Sequence, residues 1–477
     1  ENSIKGYFTL ANIYDDCEDF KNAILYYDKV LNIEPDNFQA NNNIGVLYFK
    51  ENNIQKAIEH YNIALKKNSK SPEIYNNLGL LLKETNKKNS AVKCFKNALD
   101  LDSEFIDANY NMANILKDIK NNIGSISFYE KVLSLNPNHI NALSHKLFQL
   151  AHICDWNKIC KHKSQIKEIG LKTNEVEPFT MLTFDDSPKR NQKRAILYFQ
   201  NRFNTITKIN KSAFIKKNGR KKIKLGYFSA DFYNHATMFL ISRMLELHDK
   251  KKFELYGYSF GNNIQDEMQM KCKTIFKLFR NIKLMPDDEV LELVNNDQID
   301  IAIDLKGYTQ NHRASLFFRK LAPIQINFLG YPGTMGSNII DYIIADKQII
   351  PDNHKKYYSE KVLYLPHTYQ PTNNKRKISK KKFTKIECHL PKDSFVFCCF
   401  NNNYKITNIE FKIWMKLLKK VPNSVLWLIK SNEYVEKNIK GHAFDYGVEP
   451  ERIIFAEFLA NDEHLSRHSC ADLFLDT

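Results

Sequence analysis

Gly45-Val46-Leu47-Tyr48, followed by Ala57-Ile58-Glu59-His60-Tyr61-Asn62-Ile63-Ala64 and closed by Asn68-Ser69, is one unit of a pattern that returns every 34 residues. The leading small residue recurs as Ala11, Gly45, Gly79 and Ala113, and the bulky residue three places on as Tyr14, Tyr48, Leu82 and Leu116. A second small residue follows at Ala23, Ala57, Ala91 and Ser125, with an aromatic at Tyr27, Tyr61, Phe95 and Tyr129. Val30, Ala64, Ala98 and Val132 come next, and the units close at Pro35, Ser69, Ser103 and Pro137. Small residues at fixed helical spacing let neighbouring helices approach, and the aromatics fill the space between pairs. One helix pair cannot bury its own apolar stripe, so the pairs must stack.

The period and its small and aromatic positions resemble the tetratricopeptide repeat. Four such repeats are expected over 1–137, forming an all-α superhelix. Its tyrosines and phenylalanines read as core, and its groove as a surface presented to other proteins. Residue 1 falls inside a repeat without a polar capping turn, so the array is expected to begin partway into a longer superhelix. Self-association through the repeats, giving a homo-oligomer, belongs to the same expectation.

After Pro137 the pattern changes. A helical connector is expected over 138–220, including Leu147–Trp156 and Ala195–Phe203 with a loop at Pro178–Lys189. Short branched or aromatic runs then alternate with helical stretches: Ile223–Phe228, Phe253–Phe260, Ile299–Leu305, Ile324–Leu329 and Tyr342–Ala345, with helices near Met238–Asp249 and Asp287–Asn296. This spacing predicts a parallel, doubly wound sheet over 221–374. Past a Lys-rich linker at 375–390, a second series over 391–477 has strands at Phe395–Phe400, Ser424–Ile429, Arg452–Ala456 and Leu473–Leu475, with helices near Ile409–Leu418, Val435–Tyr446 and Asp462–Cys470. Two Rossmann-like lobes in tandem are expected.

The net charge of +16, from 70 Lys and Arg against 54 acidic residues, invites a nucleic-acid reading. The lysines are dispersed, however, with local clusters only at Lys216–Lys224 and Lys375–Lys385, and no nucleic-acid motif accompanies them. Solvated linkers explain them, and no nucleic-acid partner is expected. Nine cysteines lie without a C-x-x-C pair, and Cys398-Cys399 sits in an apolar run, which suits reduced, buried thiols. There is no secretory apolar region and no apolar stretch near the length of a membrane span. The expectation is a cytoplasmic protein with no membrane partner.

Ligands of open α/β sheets sit beyond the carboxyl ends of the strands. Three loops stand there. Gly330-Tyr331-Pro332-Gly333-Thr334-Met335-Gly336 follows Ile324–Leu329 and lets the backbone approach a ligand without Cβ interference. Asn401-Asn402-Asn403-Tyr404-Lys405 follows Phe395–Phe400, ahead of a helix, and suits a diphosphate. Ser229-Ala230-Asp231-Phe232-Tyr233-Asn234-His235 ends in a histidine placed to contact a ligand or to move a proton. Each pattern is also that of an ordinary turn or cap, as are Asp300 and Asp304 around Ile301–Ile303. No metal-ligand spacing occurs in this half, and the D-x-D of Asp100 and Asp102 lies in a repeat. A metal-dependent site is not expected.

The repeats, Asp231-Phe232-Tyr233-Asn234-His235, Ala322-Pro323-Ile324-Gln325, Leu329-Gly330-Tyr331-Pro332-Gly333-Thr334, Asp341-Tyr342-Ile343-Ile344, Leu365-Pro366-His367-Thr368 and Phe400–Ile406 together resemble the protein O-GlcNAc transferase family with its bacterial and SPINDLY-like relatives. The resemblance implies a GT-B type enzyme that inverts configuration while moving N-acetylglucosamine from UDP-GlcNAc to Ser or Thr of proteins, without metal or cofactor. By the same resemblance His235 matches the active-site histidine, Leu329, Gly330 and Pro332 the sugar loop, and Lys405 the lysine that neutralises the leaving UDP. Asn402, His464 and Arg467 match nucleotide-side positions, whereas Asn461 stands where animal members carry a nucleotide-contacting Lys. His235 is the candidate general base, with the α-phosphate or a water relay as alternatives. Asp300, standing where animal enzymes carry a His, is the second candidate, as base or orienting group.

Acceptor proteins are expected to be guided along the repeat groove toward the cleft between the lobes. The family continues past Thr477 into a Gly-His-Thr-Thr type phosphate loop, so the second lobe is expected to be incomplete here and the fragment inactive. Three alternatives remain in view: a related transferase using GDP-fucose or another nucleotide sugar, a non-catalytic repeat scaffold, and a nucleic-acid binder.

Overall fold

A computed structural model of the chain describes residues 3–51, 53–172, 176–203 and 222–477. The end of the expected connector and the 216–221 part of the first lysine cluster lie outside the described residues. The chain divides into two compact units, Glu1–Leu150 and Ala151–Thr477.

The first unit contains the four expected helix pairs: Ile4–Asp16 with Phe20–Ile33, Phe38–Lys50 with Ile54–Lys67, Pro72–Glu84 with Lys88–Leu101, and Ile106–Asp118 with Asn122–Leu135. Side chains of Asp19, Asn53 and Asn121 accept from the first-turn amides of three of the second helices, fixing where each starts. The repeating aromatics Tyr27, Tyr61, Phe95 and Tyr129 are fully buried. A Cβ at Gly45 would lie 2.7 Å from the Tyr61 ring, which is why that position stays small. A ninth helix, Ile140–His152, continues the helical run past Pro137.

The second unit carries two sheets. The first holds β1 (Ile223–Ser229), β2 (Phe253–Ser259), β3 (Leu278–Asn281), β4 (Ile301–Asp304), β5 (Ile324–Phe328), β6 (Tyr342–Ala345) and β7 (Lys361–Tyr364). Their order is β3-β2-β1-β4-β5-β6-β7, and all pairings are parallel. The second holds β8 (Phe395–Cys399), β9 (Ser424–Ile429), β10 (Ile453–Ala456) and β11 (Leu473–Phe474), ordered β10-β9-β8-β11, also parallel. Helices on both faces explain why β1, β8 and β9 read as near-continuous apolar runs. The edge strands β3 and β7 escape the sequence pattern because each is four residues long and half exposed, with charged residues in it. Pro178–Leu182, expected as loop, is a short helix begun by Pro at its first turn.

The stretch expected as a connector is built into both lobes. Trp156 joins the core of the second sheet, stacking on His442 at 4.6 Å and donating from Nε1 to the Ile406 carbonyl at 3.1 Å. Ala195, Tyr198 and Phe203 of the helix Pro188–Phe203 join the core of the first. Trp156→Phe removes the donor at Ile406 and is expected to cost about 1–3 kcal/mol in denaturant unfolding. A change within error would show that the indole nitrogen contributes nothing there. Among the described residues, no helix is long and apolar enough to cross a membrane.

Candidate active site

In the first sheet the chain winds outward from β1 to β2 and β3 on one side, and from β4 to β7 on the other. β1 and β4 are therefore adjacent with diverging connections, and a crevice opens beyond their carboxyl ends. His235 stands at this point as the N-cap of the helix Ala236–Glu246, its Nδ1 accepting from the Thr237 amide at 3.2 Å. Asp231, 5% exposed, is held in the turn by its own amide, which donates to Ser229 Oγ at 2.9 Å. Its Oδ2 lies 3.6 Å from His235 Nδ1 and 2.7 Å from Lys306 Nζ.

Lys306 comes from the loop after β4, and both side chains of the Lys306–Asp231 pair are more than nine-tenths buried. Burial lowers the His235 pKa; Asp231 raises it and Lys306 lowers it. With Nδ1 accepting from a backbone N–H, the neutral ring carries its proton on Nε2. Asp304, at the end of β4, accepts from the Lys306 amide at 2.8 Å and is pushed up to about 6, chiefly by burial. It serves as the cap of that turn.

Asp300 does not belong to this group. It precedes β4, and its Oδ2 accepts from the Lys224 amide at the start of β1, at 2.8 Å. Parallel strands place that position at the amino edge of the sheet, a strand length from His235. The expectation that Asp300 is a base or orienting group is corrected: it ties the beginnings of two strands together.

Leu329, Gly330 and Pro332 are half-buried in the loop after β5 and form its accessible lip. The glycines of this loop serve internal packing. A Cβ at Gly330 would meet the Leu305 carbonyl oxygen at 2.1 Å. Gly336 has φ +68°, and its Cβ would lie 2.4 Å from the Ala195 backbone of the helix Pro188–Phe203. Side chains brace the loop from below: Asn327 Nδ2 donates to the Tyr331 carbonyl at 3.1 Å, and Tyr358 Oη to the Pro332 carbonyl at 2.9 Å. Glu360 accepts from Thr334 Oγ1 at 2.7 Å and from the Met335 amide at 2.6 Å. Gly330→Ala forces the Leu305 and Gly330 loops apart and is expected to destabilise by about 1–3 kcal/mol. Unchanged unfolding would mean that the two loops separate freely.

In the second sheet β8 and β11 diverge in the same way. Asn402 and Lys405 are exposed in the loop after β8, and Lys405 forms no ion pair among the described residues. Asn401 Nδ2 donates to Asp476 Oδ1 at 2.7 Å and Thr477 Oγ1 at 2.9 Å, joining this loop to the segment after β11. The helix Asn408–Lys420 that follows is closed by a capping box of Thr407 and Glu410. Glu410 accepts from the Thr407 amide at 3.2 Å, and Thr407 Oγ1 accepts from the Ile409 amide at 3.2 Å.

His464 and Arg467 lie on the helix Asn461–Arg467, where Arg467 Nη2 donates to His464 Nδ1 at 2.6 Å. Burial, with Arg467, His468 and Arg376 nearby, pushes His464 down to about 4, so its ring is neutral near pH 7. Arg467 is 2% exposed, lies over the rings of Phe400 and Trp427, and donates to the Glu457 carbonyl. It positions His464 and presents little surface of its own. The linker runs between the lobes: Asn373 donates to Ser242 Oγ at 3.1 Å and Arg376 to Asn461 Oδ1 at 3.0 Å. Thus the helix capped by His235 is tied through the linker to the helix bearing His464.

Asp231 and Lys306 were not singled out as site residues from the sequence. The available signal was a lysine directly after an apolar strand, in Ile303-Asp304-Leu305-Lys306-Gly307. Among the described residues, no group of three or more His, Cys, Asp or Glu is placed to hold a metal ion.

Comparison with known proteins adds to this geometry. Over 267 residues the chain is 34% identical to the probable UDP-N-acetylglucosamine–peptide N-acetylglucosaminyltransferase SEC of Arabidopsis thaliana, a match covering 55% of this chain and 27% of that protein. Over 381 residues it is 25% identical to the UDP-N-acetylglucosamine–peptide N-acetylglucosaminyltransferase of Caenorhabditis elegans, covering 56% and 33% respectively. The chain spans about a quarter to a third of the length of these curated relatives. A mutant of the Thermobaculum terrenum O-GlcNAc transferase shares the fold, with a TM-score of 0.61 at 20% identity over 99% of this chain and 78% of that one. Tetratricopeptide models match 4–37, 45–86, 72–105 and 106–139. The model of glycosyl transferase family 41 matches 189–386 and 377–477, taking in both sheets and every loop described above, and the chain belongs to that family.

Proposed function

We propose that this protein transfers N-acetylglucosamine from UDP-GlcNAc to Ser or Thr hydroxyls of other proteins, in a single inverting displacement that uses no metal. The observation that supports this best is the family match, which runs without a gap through the carboxyl-end loops of both sheets. In the reaction the acceptor oxygen forms a bond to the anomeric carbon as the bond from that carbon to the β-phosphate oxygen breaks. The electron pair leaves with UDP, and the acceptor hydroxyl gives up its proton.

Negative charge grows on the departing phosphate, and Lys405 is suited to meet it: exposed, without an ion pair among the described residues, and at the mouth of the second sheet. On the other side, His235 in its Nε2–H form donates a hydrogen bond to acceptor or sugar. The hydroxyl proton then goes to the phosphate or to water. Leu329, Gly330 and Pro332 line the sugar, and Asn402 and His464 face the nucleotide.

Acceptor proteins are proposed to dock on the repeats, where a cavity of about 600 Å³ is lined by Phe8, Phe38, Asn42, Asn43, Ser71 and Glu73. Its asparagine amides suit the backbone of an extended peptide.

The test offers the purified protein at its natural length UDP-GlcNAc or GDP-fucose with Ser- and Thr-containing peptides, with and without EDTA, and follows glycopeptide mass and anomeric configuration. UDP-GlcNAc turnover at the same rate in EDTA is expected. Turnover of GDP-fucose alone would replace the donor, loss in EDTA would overturn the metal-free reading, and absence of nucleotide binding would leave a repeat scaffold.

A further inference from the structure

A carboxylate beside the Nδ1 of a histidine ordinarily holds a proton on that nitrogen and so turns Nε2 into a base. Asp231 is in the place to do this, 3.6 Å from His235 Nδ1, yet two contacts oppose it. The Thr237 amide donates to the same Nδ1 at 3.2 Å, which requires a lone pair there. Lys306 Nζ occupies the very Oδ2 that faces the ring, at 2.7 Å. The pair is buried, so water does not dilute the attraction.

We propose that Lys306 is a positioning residue: by holding Asp231 it keeps that carboxylate from drawing a proton to His235 Nδ1, and it thereby fixes His235 as an Nε2–H donor rather than a base. The constellation has the members of an acid–histidine relay but the opposite polarity. Lys306 reaches the ring from the loop after β4, across the divergence of the sheet, so the proton on a residue of the β1 loop is set by a residue 71 positions further along the chain. The other charged or titratable groups facing His235 are Tyr233, whose ring centroid lies 5.5 Å from that of His235, and Asp266, which accepts from the Asn234 amide at 2.6 Å. Neither bonds to the imidazole. The direction of the His235 pKa agrees, with Lys306 among the groups that lower it.

The tautomer follows from this geometry without any substrate, whereas its kinetic consequence rests on the glycosyl-transfer reading. The full chain, labelled with ¹⁵N-histidine, is measured by NMR across pH, with the His235 signals identified by their loss in His235→Asn. The expected wild-type form near pH 7.5 has a bare Nδ1 and a protonated Nε2, and Lys306→Arg keeps it. In Lys306→Met the proton affinity of His235 is expected to rise about tenfold or more, with population of Nδ1–H. In turnover kcat near pH 7.5 then falls, because an Nδ1–H tautomer leaves Nε2 without its proton, and lowering the pH, which protonates both nitrogens, recovers part of it.

A wild-type Nδ1–H tautomer overturns the proposal, and it does so even if Lys306→Met fails to fold. Unchanged tautomer and titration in folded Lys306→Met overturns it as well. The expected NMR result in a protein that turns over no nucleotide sugar would leave the role of Lys306 standing and remove the transferase reading instead.

Discussion

Lys405→Ala is expected to lower kcat for sugar transfer by about 10²–10³-fold, the usual effect of removing one preorganised group that meets developing negative charge. Thermal unfolding should not move. Lys405 is exposed and forms no ion pair among the described residues, so its loss strands no partner and opens no cavity. The separation of these two readouts is the content of the prediction. A lysine that merely solvated the loop after β8 would change neither, and one that held the loop together would change both.

Donor KM should rise much less than kcat falls, since the full charge on the phosphate exists only as the sugar leaves. Lys405→Arg, which keeps the charge but alters its shape, should recover part of the rate. Steady-state kinetics with UDP-GlcNAc, beside a melting curve for each variant, measures all of this. Full activity in Lys405→Ala would remove the residue from the mechanism.

The helix pairs were readable because their determinants are local: a small residue that must admit a ring, such as Gly45 under Tyr61, recurs within one repeat length of its partner. The strands of the two sheets other than β3 and β7 were readable for a related reason, since burial on both faces leaves apolar runs such as Ser424–Ile429. What failed depended on which strands are neighbours. Lys306 and Asp231 are 75 residues apart, and their contact exists only because β2 and β3 are wound to one side of β1 while β4 takes the other.

The same limit applies to the glycines after β5. A glycine that admits a ligand and one that admits a neighbouring carbonyl read alike, and the missing Cβ of Gly330 makes room for the Leu305 carbonyl. Asp300 is a different failure. Chain direction alone puts a residue preceding a parallel strand at the edge away from the site, and a matched position in a family carries no information about that edge. Arg467 shows the limit in the second lobe, where a matched position is 2% exposed and braces His464.

Asp231→Leu is expected to destabilise the protein by about 3–5 kcal/mol, because it leaves the Lys306 ammonium buried without its counter-charge. The side chains of Lys306 and Asp231 are only 8% and 7% exposed, and the 2.7 Å contact is the one ion pair of that ammonium among the described residues. The double variant Asp231→Leu with Lys306→Met should recover most of the loss, since replacing both members of a buried pair by apolar groups is often close to neutral. Denaturant unfolding of the two single variants and the double closes the cycle and gives the coupling directly. A cost below about 1 kcal/mol for Asp231→Leu, the range of exposed pairs, would show that water reaches the pair. The double variant also separates folding from chemistry. If Lys306 acts by keeping Asp231 from drawing a proton to Nδ1, the double variant should recover the rate along with the stability, because the Thr237 amide alone then holds the ring in its Nε2–H form; recovered folding without recovered rate would show that the charges themselves are used in turnover.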